Sequence, residues 1–348
     1  MHRRPGHHDR PHRPHPVVPA RDGRAELSAD VLAGLRQRLA PHGISDLRAL
    51  AGGASSLTFA GTLTGRRVAV KVAPPGLPPI AHRDVLRQAR ILRTLGGTAV
   101  PVPEILAEDH GDPPEIPPLF VMSFIDGAAA EPLFDAVDAG PVEVIAERVQ
   151  HAAQLLAALH RLVPAELGLD DEPVVAPAAE LDKWCVSLTT VPQELVPDWQ
   201  RVAAALRSTT PAPGPPALVH GDFRLGNLLC VGGRITAVVD WEIWSVGDPR
   251  VDLGWFLINA DPETYGRATP YRGRTPPVHE LAAHYRRTMG RSVPDLGWFQ
   301  ALACFKSTAT WSLIVKHNRR RTTPDPQLER MAATLPRLLG RALDHLAC

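Results

Sequence analysis

Two carboxylates and an amide fall close together in this sequence, at positions where a buried core could have continued. The stretch HGDFRLGNLL carries His220, Asp222, Arg224 and Asn227 directly after the apolar ALV, and AVVDWE closes another apolar run on Asp240. Oxygen ligands of this kind suit a hard cation such as Mg²⁺, which takes a few ligands from protein and the rest from phosphate and water. A further carboxylate beside such an ion can accept the proton of an attacking hydroxyl.

Whether these groups meet depends on the elements that carry them. NLLCVGGRITAVVDW reads as two apolar strands joined at Gly232-Gly233, the signal for a two-residue hairpin. If Val231 pairs with Arg234, Asn227 lies opposite Val238 and Asp240 is its diagonal neighbour. Their side chains then share one face, with backbones roughly 7–8 Å apart. Asp222, on the approach to the hairpin, falls beside the metal and is the candidate proton acceptor.

Upstream, the Gly-rich LAGGASSLTFAGTL, the turn TGR and the alternating RVAVKV read as a second hairpin, preceded by a helix SADVLAGLRQRLA capped by Ser28. HRDVLRQARILRTL follows as a helix, and PPLFVMSFIDG as a buried strand ending at Gly127. Helices are expected near 142–162, 178–207, 248–258, 278–290, 295–318 and 325–346. The expected fold class is α+β: a two-lobed, protein-kinase-like arrangement with a small β-rich lobe over 25–124 and a larger, mainly helical lobe over 125–348. Residues 1–24, with five His among Arg and Pro, read as a disordered tail.

Composition narrows the function classes. The 348 residues, 44% hydrophobic, suffice for a large core or two lobes. The four cysteines, Cys185, Cys230, Cys304 and Cys348, are scattered and suggest neither a zinc site nor a disulfide framework. No apolar run is long enough to span a membrane and the N-terminus has no apolar signal core, so a cytoplasmic protein is expected. A net charge of +1 gives no reason to expect nucleic acid, and no protein partner is evident.

HGDFRLGN followed by VVDWE, and then GDPRVDLGW, resembles the catalytic and metal-binding segments of aminoglycoside phosphotransferase-like kinases. The resemblance implies ATP and Mg²⁺ as cofactors, Asp222 as catalytic base, Asn227 and Asp240 as Mg²⁺ ligands, and His220 as the residue that holds the loop. Arg224 stands where many protein kinases carry a phosphate-contacting lysine. Lys71 in VAVKV, one of only four lysines, is placed to reach nucleotide phosphates, with Gly52 and Gly53 allowing close backbone approach and Ser55 and Ser56 adding donors. FVMSF, with Met122 and Phe124, resembles the connector that receives adenine. Asp248 before Pro249 reads as a helix cap, and Asp252 as a support for the catalytic loop. The plainer readings are that these are ordinary loop polar groups and that Lys71 snorkels to solvent.

One departure stands out: where the family has a glutamate to pair with the lysine, VLRQARIL offers Gln88, with Asp84 one turn earlier as a substitute. That keeps open a catalytically silent pseudokinase or nucleotide-binding scaffold. A metal-dependent hydrolase built on His220, Asp222 and Asp240 would leave Lys71 and the glycine loop without a role.

For the acceptor, residues 255–348 hold 14 Arg or Lys against 7 Asp or Glu, a poor match for a polycationic aminoglycoside. A small, neutral or anionic hydroxylated molecule is expected; the family's range extends from amino alcohols to hydroxyacyl thioesters. Lys306 and Lys316, in ALACFKSTATWSLIVK, are the basic residues of most interest.

Overall fold

The computed structural model describes residues 29–50, 56–131, 140–266 and 268–347. The expected tail, Ser28, Gly52, Gly53 and Ser55 lie outside them.

Alternation of branched apolar residues builds the β-rich part. Strands β1 (Ile44–Ala49), β2 (Leu57–Leu63), β3 (Arg66–Val72), β4 (Ile105–Asp109) and β5 (Leu119–Ser123) form one antiparallel sheet in the order β1-β2-β3-β5-β4. Val68, Val70 and Val72 of β3 point to one face, where Leu35 and Leu39 of helix α1 (Ala29–Leu39) complete a core with Phe59 and Val121. The intervening Ala69 and Lys71 must therefore point to the other face, beside their cross-strand partners Met122 and Phe120. The period of two thus decides that Lys71 faces away from the core under α1. The strand expected to run to Gly127 ends earlier, at Ser123, and β1 and β4 are strands that the sequence did not announce.

Helix α2 (Val85–Leu95) covers part of that second face. Asp84 caps it, accepting the Arg87 N–H at 3.0 Å, and Val85, Ala89 and Leu92 pack with Phe120. Arg87 of α2 also fastens this part to the rest of the chain. Its guanidinium lies 3.8 Å from the Trp244 ring centroid and donates to the Trp244 carbonyl and to Glu172, each at 2.8 Å.

The helical part comprises α3 (Val142–His160), α4 (Pro177–Thr189), α5 (Trp199–Ser208), α6 (Arg250–Ala260), α7 (Pro262–Tyr265), α8 (Val278–Met289), α9 (Leu296–Asn318), α10 (Pro326–Glu329) and α11 (Leu335–Ala347). The expected helix 178–207 is two helices, because Pro192 and Pro197 interrupt the run between them. The span 325–346 likewise breaks into α10, a 3₁₀ turn and α11. Every residue of α6 is buried, and α6 and α11 both pack on α9, whose Phe299, Phe305 and Ala309 are completely buried. Helices apolar on all sides belong at the centre of such a bundle.

Two small sheets sit between these layers. Strands β6 (Val174–Val175), β7 (Ala217–Val219) and β10 (Ser245–Gly247) form one, in the order β6-β10-β7, and β8 (Leu228–Val231) with β9 (Arg234–Val238) the other. His220 and Asp222 follow β7 directly, and Asp240 follows β9. The architecture is the kinase-like α+β fold expected from the sequence. Among the described residues, no helix is long and apolar enough to cross a membrane, and Cys185, Cys230 and Cys304 are free thiols.

Candidate functional site

The β8–β9 hairpin closes as expected with Val231 opposite Arg234, but the register further along differs. Cys230 pairs with Ile235 and Leu229 with Ala237, so Thr236 is an extra residue in β9 and Leu228, not Asn227, stands opposite Val238. The extra residue moves Asn227 opposite Val239, whose N–H donates to the Asn227 carbonyl at 3.0 Å. By strict alternation, that one-residue slip would turn Asp240 to the wrong face. Asp240 avoids this by leaving the strand: its φ of +66° is left-handed, a conformation that Asp tolerates better than most residues. Asn227 and Asp240 consequently line the same cleft, as expected, by a different route.

That cleft, about 370 Å³, lies between the sheet and the hairpin. Its walls carry Ser56, Ala69, Lys71, Met122, Phe124, Asn227 and Asp240. Lys71 donates to the Asp240 carboxylate at 3.0 Å, joining the sheet to the hairpin. Ser56 is buried against the cleft with no hydrogen-bond partner for its hydroxyl. Phe124 stacks under Arg67, its ring centroid 4.2 Å from the guanidinium carbon. The N–H groups of Ser123 and Phe124 are already bonded, to the carbonyls of Glu104 and Arg67.

Asp222 is held from three sides. Its carboxylate accepts the Trp255 indole N–H at 2.8 Å, the Asn227 side-chain N–H at 2.8 Å and the Arg224 Nε at 3.2 Å. Asn227 also donates to the Asp222 carbonyl at 2.9 Å, which fixes the amide with Nδ2 towards Asp222 and frees Oδ1 to accept elsewhere. Arg224 bridges Asp222 to Glu131, 2.8 Å away, and Glu131 also accepts the Gly226 N–H. Burial opposes the charge of both partners. It raises the Glu131 pKa even against the pull of Arg224, whereas Asp222 and Glu131 together hold Arg224 above its ordinary value.

His220 is completely buried against Trp241, 4.5 Å between ring centroids. Its Nδ1 accepts the Asp222 N–H at 3.1 Å, which leaves Nε2 to donate to the Val239 carbonyl at 3.0 Å. Burial holds the imidazole below its ordinary pKa, and this neutral ring ties the Asp222 loop to the residue before Asp240. Asp252, in the first turn of α6, accepts the backbone N–H groups of His220 and Gly221 at 2.6 and 2.8 Å. Gly221 has φ +86°, and a Cβ there would lie 2.6 Å from the Ile243 carbonyl, so the turn requires glycine. Asp248 accepts the Arg250 N–H, as a capping residue would, from one position before the helix N-cap Pro249, and it also bonds the Arg250 side chain and the Gly214 N–H.

The structure therefore brings together Ser56, Lys71, Met122, Phe124, Asn227 and Asp240 at one cleft, with Asp222 bonded to Asn227 of that cleft and His220 and Arg224 bonded to Asp222. Gln88 is buried on α2 and its Nε2 has no hydrogen-bond partner; Lys71 turns to Asp240 instead. Asp84, the suggested substitute, is engaged as the α2 cap. Lys316 is remote from the cleft, donating to the Thr190 carbonyl at 2.6 Å. Sequence reasoning gave no role to Glu131, an isolated glutamate, or to Trp255, which closes GDPRVDLGW but offers only an indole N–H whose partner the sequence does not name.

The chain matches known proteins along most of its length. It is 27% identical over 283 residues to acyl-CoA dehydrogenase family member 11 of Gallus gallus, a match covering 76% of this chain and 36% of that protein. The chain thus spans about a third of the length of that relative. It is 33% identical over 200 residues to viomycin phosphotransferase of Streptomyces vinaceus, covering 53% of this chain and 66% of the relative. A thermostable mutant of aminoglycoside phosphotransferase APH(4)-Ia, solved in ternary complex with ADP and hygromycin B, shares the fold with a TM-score of 0.59 at 18% identity, over 90% of this chain and 97% of that one. The model of the phosphotransferase enzyme family matches residues 46–292. With that match spanning most of its length, over both the sheet and the Asp222–Asp240 hairpin, the chain belongs to the phosphotransferase enzyme family.

Proposed function

We propose that the protein is an ATP-dependent O-phosphotransferase acting on a hydroxyl of a small molecule. The observation that carries this reading is the convergence at one cleft of Lys71, 3.0 Å from Asp240, with Asn227, itself 2.8 Å from the Asp222 carboxylate. Lys71 and the unpartnered Ser56 hydroxyl would take the nucleotide phosphates, and Met122 and Phe124 would flank the base. With the Ser123 and Phe124 N–H groups occupied, the base edge would be read by other backbone groups of the connector.

The donor set also fits Mg²⁺. The fixed Asn227 amide presents its Oδ1 and Asp240 a carboxylate 40% exposed at the cleft, two protein oxygens of the kind such an ion accepts. When bound there, it would neutralise charge on the phosphates. Asp222 orients the acceptor hydroxyl and takes its proton as the oxygen bonds to the γ-phosphorus; the bond to the β-phosphate oxygen breaks and ADP leaves. Arg224, engaged by Asp222 and Glu131, would act by holding the base more than by reaching phosphate.

For the acceptor, the basic balance of residues 255–348 favours a neutral or anionic molecule. Relatives named for acyl-CoA chemistry make hydroxyacyl thioesters the first class to try. Since α2 offers Lys71 no carboxylate, a catalytically silent nucleotide-binding protein is the competing reading. Labelled ATP with Mg²⁺, screened against hydroxyacyl thioesters, amino alcohols, viomycin and aminoglycosides, separates the two. Label transfer to one class supports the enzyme and names its acceptor. Nucleotide binding without label transfer or ATP consumption supports the silent protein.

A further inference from the structure

The three peptide units that lead into Asp222 have most of their polar atoms accounted for by residues already described. Asp252 takes the N–H groups of His220 and Gly221, and His220 takes that of Asp222. The Gly221 carbonyl, next to Asp222, is taken by a residue with no place in the chemistry so far: Lys306 of α9, whose ammonium donates to it. Lys306 is buried, 6% exposed, and is the one charged side chain among the buried residues of α9. Its Nζ lies 4.0 Å from the centroid of Trp255, the indole that donates to the Asp222 carboxylate, and 5.6 Å from that of Trp184.

The geometry points to Lys306 as a positioning residue for Asp222, acting on it by two routes, through the Gly221 carbonyl and through the Trp255 ring. This rests on Asp222 being the catalytic base. A lysine at a buried helix position is costly, since burial disfavours its charge, and a core of this composition would accept an apolar side chain there. Burial does pull the Lys306 pKa down, opposed by the carboxylates of Asp222, Glu180 and Asp252. Of the three contacts that accompany this cost, the bond to Gly221 and the closer ring contact, to Trp255, both end at Asp222. A cation over the indole face draws electron density from the ring and strengthens its N–H as a donor to the carboxylate. The bond to Gly221 fixes the peptide plane from which the Asp222 side chain projects. Glycine contributes no side chain to hold that plane, whose other tie is the bond from the Asp222 N–H to His220.

The test uses the full-length chain and the variants Lys306→Met and Trp255→Phe. Three quantities are measured: ATP turnover with the acceptor found in the screen, or with water in its absence; affinity for Mg·AMP-PNP by calorimetry; and amide exchange of the peptide spanning 218–228 by mass spectrometry. Lys306→Met should slow turnover about 10- to 100-fold, the scale of a small misplacement of a reacting group. AMP-PNP affinity should stay within about twofold. Exchange of the 218–228 peptide should rise several-fold while the β2–β3 peptides exchange as before, and global stability should hold or increase. Because the two residues form one support, the double variant should be little slower than the worse single variant.

Turnover and exchange both unchanged in a folded Lys306→Met protein overturn the inference. A uniform rise in exchange across the whole chain also overturns it, by making Lys306 a general stabiliser. If Lys306→Met does not fold, Lys306→Gln, with a donor of shorter reach, is put to the same two readouts. If the unsubstituted protein turns over no ATP, the proposed function fails while local exchange still decides the role of Lys306. If Asp222→Asn is inert and Lys306→Met fully active and unchanged in exchange, only this inference falls.

Discussion

Lys71 and Asp240 stand 3.0 Å apart, so the cation of the sheet is balanced by a carboxylate of the hairpin and not by helix α2. The pair is 10% and 40% exposed, enough for water to screen it, so its contribution to stability is small. Its consequence is positional: the lysine points into the cleft beside the proposed metal ligands. Lys71→Met should leave the fold intact and lower ATP turnover by about 10²-fold or more, because a preorganised charge on the phosphates is lost. Steady-state kinetics with circular dichroism as a fold check decides it; unchanged kinetics would show that Lys71 serves only the pair.

Gln88 yields an expectation opposite to the one its sequence position suggests. Were it the partner of Lys71, removing its amide should damage activity. Its Nε2 is buried and unpartnered, and a buried unmet donor costs about 1–3 kcal/mol. Gln88→Leu should therefore be as stable as the parent or more so, with nucleotide affinity unchanged. Asp84→Ala, by contrast, removes the α2 cap and should cost about 1 kcal/mol, again without effect on the nucleotide. Denaturant melts and calorimetry on both variants check this; loss of nucleotide affinity in Gln88→Leu would restore its link to Lys71.

The hairpin shows how far the sequence could be read. Gly232-Gly233 and two apolar runs located the turn and its closing pair, because turn chemistry is local. The extra residue at Thr236 was hidden, because nothing in RITAVV distinguishes a bulged strand from a regular one. Asp240 still reached the cleft through a left-handed backbone that an aspartate permits but does not announce. Lys71 was legible because strand alternation alone orients it. Glu131, Trp255 and the bond from Lys306 to Gly221 were not, since each joins residues far apart in sequence whose meeting depends on helix packing. Pro192 and Pro197 mark the split of the expected helix 178–207, since neither residue can continue a helix across the gap between α4 and α5.

Asp248 gives the structure a defined acid response. Burial would raise its pKa, but bonds from the Arg250 side chain and from the Gly214 and Arg250 N–H groups hold it below the ordinary carboxylate range. A depressed folded pKa means stability that is fully present above the unfolded value, about 4, and lost as pH falls through the folded one. Asp248→Asn should be less stable than the parent at pH 7 by about 1.5–3 kcal/mol, the scale of a hydrogen bond to a charged group, because Arg250 loses a carboxylate but keeps Asp295 and the carbonyls of Ala212 and Pro294. That gap should narrow below pH 4. Urea melts at pH 7, 5 and 3 test it, and a gap that stays constant with pH would contradict the assignment.

Asp240→Ala tests the proposed metal ligands. With Asn227 alone, one neutral oxygen faces the ion, too little for a divalent cation to prefer over water. Calorimetry should find AMP-PNP affinity no longer dependent on Mg²⁺. Mg²⁺-dependent affinity equal to that of the parent would place the ion elsewhere.

Asp222 carries the central claim, and Asp222→Asn is its most direct test because the amide keeps the shape of a side chain bonded by Trp255, Asn227 and Arg224. ATP turnover and Mg·AMP-PNP affinity are measured together on the parent and the variant. Turnover should fall by about 10²-fold or more, the range for losing a positioned base, while affinity stays within about twofold. Equal turnover in parent and variant would remove Asp222 from the chemistry and contradict the account.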